Sequence, residues 1–190
     1  MKWIGERTSF EDEKGITKIV IRPEDKVLAK GLMGAWVAMW FTIGFIMVWS
    51  YFTFKLSEQE KIIVYVFMAF WGYYAFKVSN SFLWLMWGKE LIKINEVSLT
   101  YKRSVRGFGK AVPYYLENIQ KMRVQHPEAN SFQAVWESSP WINGGERFEF
   151  DYLGKVIRFG RKLNEKDSKL LFTVITKRLD DQLKRRNKGM

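Results

Sequence analysis

Cysteine is absent from this chain, histidine occurs once, and proline occurs only four times in 190 residues. Without cysteine there is no disulfide, no thiolate nucleophile and no Cys-ligated metal. The single histidine, His126, stands beside Pro127 in a segment that reads as a loop. One imidazole and no thiol make a poor donor set for a transition metal, so neither metal nor cofactor is expected. The commonest general base is equally scarce, which argues against acid–base or nucleophilic catalysis. A secretory signal is missing from the first 30 residues. The short apolar run Ile16 to Ile21 is broken by Lys18 and preceded by Glu11, Asp12 and Glu13. A phosphate-cradling loop is missing too, because Gly107-Phe-Gly109 lacks the third glycine and the strand-to-helix context.

Aromatic and apolar residues are plentiful. The chain has 15 Phe, nine Trp and eight Tyr, and most of the Trp lie between Trp36 and Trp87. A mean hydropathy of −0.21 averages a greasy middle with charged ends. Gly31 to Phe54 contains no charged side chain. As a helix its 24 residues reach roughly 36 Å, enough to cross a ~30 Å hydrocarbon core with some tilt. Gly31, Gly34, Ala38 and Gly44 recur along this span, and small residues permit close backbone approach to another helix. Packing against a second span is the simplest use of that face, and contact with another membrane protein is the alternative.

Lys55 to Lys61 is a short connection in which Ser57 and Glu60 have the spacing of a capping box for a second helix. Ile62 to Phe76 is uncharged but reaches only about 22 Å, so the span has to continue through Lys77 to Trp87. A lysine at mid-bilayer costs roughly 2.5–3.5 kcal/mol on insertion scales, less when its stem snorkels. Lys77 is therefore the one charged intramembrane polar residue to place. Basic residues flank the far ends of the two spans: Lys14, Lys18, Arg22, Lys26 and Lys30 before, Lys89, Lys93, Lys102, Arg103 and Arg106 after. The connecting loop offers only Lys55 and Lys61. The positive-inside rule then puts both termini in the cytoplasm.

After Trp87 the pattern changes to a period of two. Ile92 and Ile94 share one strand face, and Val97, Leu99 and Tyr101 share a face of the next, with Asn95-Glu96 turning between them. Met122 and Val124, Phe132 to Trp136, Phe148-Phe150-Tyr152 and Lys155 to Phe159 read as further strands. Turns are expected at Arg106 to Lys110, Ser138 to Pro140, Asn143 to Gly145 and Leu153-Gly154. Ahead of the spans, Gly15 to Ile21 reads as a short strand ended by Arg22-Pro23. A final amphipathic helix is capped by Asn164 and carries the stripe Leu170, Leu171, Val174, Ile175, Leu179 and Leu183. Glu165 and Asp167 suit its start, and Lys184, Arg185, Arg186 and Lys188 its end. The expected organisation is residues 1–30 as a cytosolic segment, 31–87 as a two-helix transmembrane hairpin, and 88–190 as a cytosolic α+β domain.

The two spans, GKELIKINEVSLTYKR after them, YYLENIQKMRV, and the ending GKVIRFGRKLNEKDSKLLFTVITKRL resemble the bacterial pleckstrin-homology-like (PH) domain membrane proteins. The resemblance covers roughly Leu32 to Leu183. It implies an antiparallel β-barrel or sandwich of about seven strands, capped at one end by the C-terminal helix. It also implies a bacterial inner-membrane location and a binding or scaffolding role, with no catalytic residues to carry over.

The formal charge is +11, and residues 89–190 hold 21 basic against 12 acidic side chains. Lys102, Arg103, Arg106, Lys110, Arg123, Arg161 and Lys162 form the candidate patch for anionic lipid or an acidic partner protein. Glu146, Glu149 and Asp151 read as the solvent face of a strand. The expected function is a non-enzymatic membrane adaptor or accessory subunit, with membrane lipids and another membrane protein as partners and no nucleic acid. A small transporter or channel component with a pathway involving Lys77 is the alternative, and an enzyme acting at the membrane surface is a third.

Overall fold

A computed structural model describes residues 2–13, 15–128, 130–139, 142 and 144–188, with side chains through residue 185. Lys14 and the turn residues Pro140 and Asn143 lie outside the described residues, as do the side chains of Arg186 and Lys188. The chain forms two compact units. One is residues 25–86, a pair of helices. The other joins residues 1–24 to 87–190, an α+β unit.

In the α+β unit, β1 (Lys2–Ile4), β2 (Thr8–Glu13), β3 (Ile16–Ile21), β4 (Gly88–Ile94), β5 (Ser98–Val105) and β6 (Ala111–Tyr115) form an antiparallel sheet in chain order. The expected separate N-terminal segment is thus three strands of this sheet. Thr17 to Ile21 pairs with Ile94 to Glu90, placing Ile19 opposite Ile92. Ile16 to Ile21 alternates buried and outward positions; one edge pairs with β2 and the other is met by β4, across 66 intervening residues. The helical pair is an insertion between two strands of one ladder.

A 3-10 turn over Leu116–Asn118 leads to the second sheet: β7 (Ile119–Val124), β8 (Glu146–Tyr152) and β9 (Lys155–Arg161). Leu153 and Gly154 turn β8 into β9 with φ of 48° and 76°, left-handed values that suit the twist of a two-residue hairpin. Among the described residues no ladder joins the two sheets, so the nine strands are not closed into a barrel by strand pairing. They meet instead through side chains. Ile19, Ile21, Ile92, Ile94, Leu99 and Tyr101 of the large sheet pack with Phe148, Phe150 and Phe159 of the small one. Each fully buried Phe contributes about 1.5–3 kcal/mol of burial free energy. Pro113 sits in β6, an edge strand, where its missing N–H costs no ladder bond.

The last helix, α4 (Glu165–Lys188), closes the core with Leu171, Ile175 and Leu179. Asn164 Oδ1 accepts from Asp167 N–H at 2.7 Å, the cap its position suggested. Two expected positions move. Leu170 is 50% exposed, because the inward face passes through Ser168 rather than Leu170. Val97 is 53% exposed, because the turn takes in Asn95 to Val97 and Asn95 Oδ1 accepts from both Val97 and Ser98 N–H. Phe132 to Trp136 is not a strand but part of α3 (Phe132–Ser138), started by Ser131 Oγ accepting from Ala134 N–H at 3.1 Å.

The second unit consists of α1 (Val27–Thr53) and α2 (Glu58–Trp87), whose last residue belongs to the α+β unit. Ser57 N–H donates to Glu60 Oε2 at 2.8 Å and Glu60 N–H to Ser57 Oγ at 3.4 Å, so the capping box forms. Trp40 and Trp71 lock the pair reciprocally, each indole N–H donating to the other's backbone carbonyl, at 3.3 and 2.9 Å. By length and composition both helices are able to cross a membrane, and only 11% and 6% of their most apolar stretches are buried.

Deleting residues 2–24 removes three strands and bares the Ile92 and Ile94 edge. We expect that truncated chain to lose protection of residues 87–185 in limited proteolysis, whereas the full chain retains it.

Candidate functional site

The sequence places a carboxylate, Glu90, among the alternating apolar residues of β4. It faces inward at 1% exposure. A buried carboxylate needs hydrogen bonds and compensating charge. Glu90 obtains both from β9: Gly160 N–H donates at 2.7 Å and Arg161 N–H at 3.2 Å. Gly160 takes φ 77°, and a Cβ there would run into the Phe148 ring, so glycine is required where the strand bends to aim these amides. Arg103, opposite Glu90 in the ladder, and Arg161 supply positive charge. Burial still pushes the Glu90 carboxyl above the usual range, against the pull of the Gly160 amide and Arg103.

The cluster extends outward from there. Arg103 Nε donates to Tyr101 Oη at 3.0 Å, and its Nη2 pairs with Glu146. Arg7 Nη1 donates to the Lys162 carbonyl at 2.6 Å and its Nη2 to that of Arg161 at 3.2 Å, while Arg7 Nε reaches the Arg22 carbonyl at 3.0 Å. Lys162 Nζ donates to the Ser139 carbonyl at 2.6 Å. Burial first, and Arg161 next, push the Lys162 ammonium down to about 8.

The candidate basic patch therefore divides. Arg103, Arg161 and Lys162 belong to the network around Glu90, with Arg103 at its exposed rim. Arg161 is 7% exposed. Arg123 lies elsewhere, paired with Glu149 at 3.3 Å and Asp151 at 3.5 Å. Glu149 also receives Arg158 and Gln125 and is 5% exposed, so it is not part of a solvent face. Lys102 donates to the Gly107 carbonyl at 2.8 Å, and Arg106 stacks on the Trp87 ring with its guanidinium carbon 3.8 Å from the centroid. Lys110 is exposed beside them. Lys102, Arg106 and Lys110 share the β5–β6 end, and the remaining four candidates serve the fold. No sequence signal separated them, because partners lie far along the chain: Glu146 is 43 residues from Arg103 and Arg7 is 155 from Lys162.

On the helical pair, a Cβ added at Gly34 would touch the Phe82 ring and one at Gly44 would collide with Trp71, whereas one at Gly31 would meet nothing and Ala38 is exposed. Lys77 is exposed on α2 with Nζ 5.5 Å from the Tyr73 ring centroid. His126 is engaged with Ser168 Oγ at 2.7 Å, and burial together with Arg147 lowers its pKa. Among the described residues no group of three or more Asp, Glu, His or Cys is placed to hold a metal. No family model, curated protein or solved structure matches the chain.

Glu90→Ala leaves the buried Gly160 and Arg161 amides without their acceptor and removes a negative charge from beside two arginines, and we expect a loss of about 3–5 kcal/mol of unfolding free energy. Glu90→Gln keeps one acceptor oxygen and should cost about 1–3 kcal/mol; urea titration in mild detergent compares the two. Lys162 has a folded pKa of about 8 against 10.5 for an ordinary lysine. Between those values the unfolded chain holds a proton that the folded chain has released, so the Lys162 contribution to stability grows as pH rises through the window and is gone below it. Lys162→Gln should flatten that segment of the stability–pH curve.

Proposed function

We propose that the chain is a non-enzymatic integral membrane adaptor or accessory subunit, anchored by its helical pair and presenting the α+β unit at the membrane surface. The observation that carries this reading is the exposure of α1 and α2. Helices this apolar are stable in water only when buried, and only 11% and 6% of their most apolar stretches are buried by the protein. A bilayer supplies the missing cover. With the positive-inside rule, both termini face the cytoplasm of a bacterial inner membrane.

The ionisable groups support an adaptor rather than an enzyme. His126 is held by Ser168, and Glu90, Glu146 and Glu149 each take a guanidinium or a backbone amide. These bonds tie β4, β5, β8 and β9 together, which is structural employment. The likeness to PH-like domains rests on antiparallel strands followed by a C-terminal helix, and it favours a binding module. Its docking partners are anionic lipid or a second membrane protein.

Crosslinking in intact membranes followed by gentle solubilisation tests the reading. Recovery of a defined larger assembly is expected. A monomer in every detergent, or a chain that stays monodisperse in plain buffer, would overturn it.

A further inference from the structure

Between β7 and β8 the α+β unit turns a group of large apolar side chains outward. Phe132 is 80% exposed, Val135 64% and Trp136 55%, and the Phe132 and Trp136 rings stack at 5.9 Å. Spacings of three and four place all three on one face of α3. The segment is fastened down behind them. Arg147 Nη1 donates to Glu137 Oε2 at 2.6 Å with both side chains 13% exposed, Arg147 Nε reaches the Leu163 carbonyl at 3.2 Å, and Lys162 holds the Ser139 carbonyl.

The site of that attachment determines what covers the face. Lys162 is tied to Arg7, and Arg7 to Arg22 directly after β3. Ile21 lies opposite Glu90, and Gly88 opposite Val105. Thus α3 is fastened to the end of the large sheet where the chain departs toward α1 and returns from α2. Residues 22–26 alone separate β3 from α1, and no residue separates α2 from β4. The same end carries Trp3, half exposed with Arg22 5.3 Å from its ring, the Trp87–Arg106 stack, and Phe108, 81% exposed in the β5–β6 turn.

Resting on the membrane reading above, we propose that this end of the α+β unit lies in the headgroup zone of the bilayer and that α3 is an interfacial helix. Phe132, Val135 and Trp136 sit among the headgroups and upper acyl chains. Tryptophan and phenylalanine are favoured there, and Arg22 and Arg106 over their indoles meet lipid phosphates. The exposed apolar groups come from four separate chain segments gathered at one end, which a continuous lipid surface covers together. Among the described residues, the opposite end exposes Val97 in the β4–β5 turn, Tyr115 at the end of β6 and Leu153 in the β8–β9 turn, but no tryptophan or phenylalanine.

The lack of cysteine makes a labelling test direct. Val135→Cys, Phe45→Cys and Val97→Cys are each labelled with a nitrobenzoxadiazole fluorophore in the full chain, reconstituted into vesicles of phosphatidylcholine and phosphatidylglycerol. Shallow-nitroxide lipid is expected to quench the position-135 label roughly threefold or more above the position-97 label, while deep-nitroxide lipid quenches position 45. In the Val135→Cys background, Phe132→Ser with Trp136→Ser should return quenching to the position-97 level with circular dichroism unchanged. Position 45 quenched and position 135 no different from 97 overturns the interfacial helix and leaves the hairpin standing. If position 45 is also unquenched, both fall. A position-135 label hidden from aqueous iodide yet unreached by nitroxide lipid means a protein covers the face, and it overturns the proposal. So does shallow quenching that survives the double substitution.

Discussion

The ladder between β3 and β4 is the constraint on which the rest of this structure depends. Five consecutive residue pairs, Thr17–Ile94 through Ile21–Glu90, hold together two segments separated by the whole helical pair. Closing so long a connection costs chain entropy, though the cost grows only slowly with length. The return is a six-stranded sheet with an inner face of Ile19, Ile21, Ile92 and Ile94, each at most 2% exposed. Neither β1–β3 nor β4–β6 alone offers both faces of that core. Both polypeptide connections to the helices consequently emerge at one end of one sheet, which is the geometry of an insertion rather than of a tail.

Glu90 occupies the last rung of that ladder, and its placement explains why the two sheets stay together without pairing. Two side-chain oxygens take the place of a strand, accepting from Gly160 and Arg161 N–H of β9. Arg7 repeats the device from the β1–β2 turn by donating to the carbonyls of residues 161 and 162. A buried network of this kind gives little net stability relative to apolar packing, yet an incomplete one is costly. Register is what it enforces. A one-residue slip of β9 would offer Glu90 the wrong backbone groups.

The sequence conveyed strongly periodic elements and lost those whose partners are distant. The helical pair, the β4–β5 and β8–β9 hairpins and α4 announce themselves by period, turn residues and caps. β1 and β2 do not: Lys2–Ile4 is three residues long, and Thr8–Glu13 has no alternating apolar face, since the adjacent polar residues Thr8 and Ser9 are both buried. Phe132 to Trp136 read as a strand because its aromatic and branched residues favour one. A serine cap and the Arg147–Glu137 tie decide for a helix instead. The basic residues were legible as a charge excess but not as a patch, since composition does not reveal which guanidinium meets a carboxylate 40 residues on.

That division of the cations bears on how such a domain is oriented at a surface. Twenty-one basic against 12 acidic residues after Trp87 produce a long-range attraction to anionic lipid, about 1 kcal/mol for each cation close to the surface and screened within a Debye length. Attraction spread over many faces holds a domain near a membrane without choosing which face touches it. Arg161 contributes to that field from within the fold, whereas Arg103 and Arg123 are exposed but already paired, with Glu146 and with Glu149 and Asp151. Orientation must come from features confined to one end. The arginine–tryptophan stacks at Trp3 and Trp87 and the aromatic face of α3 are so confined; in the proposed membrane pose net charge would supply the affinity for the surface and aromatic placement the orientation.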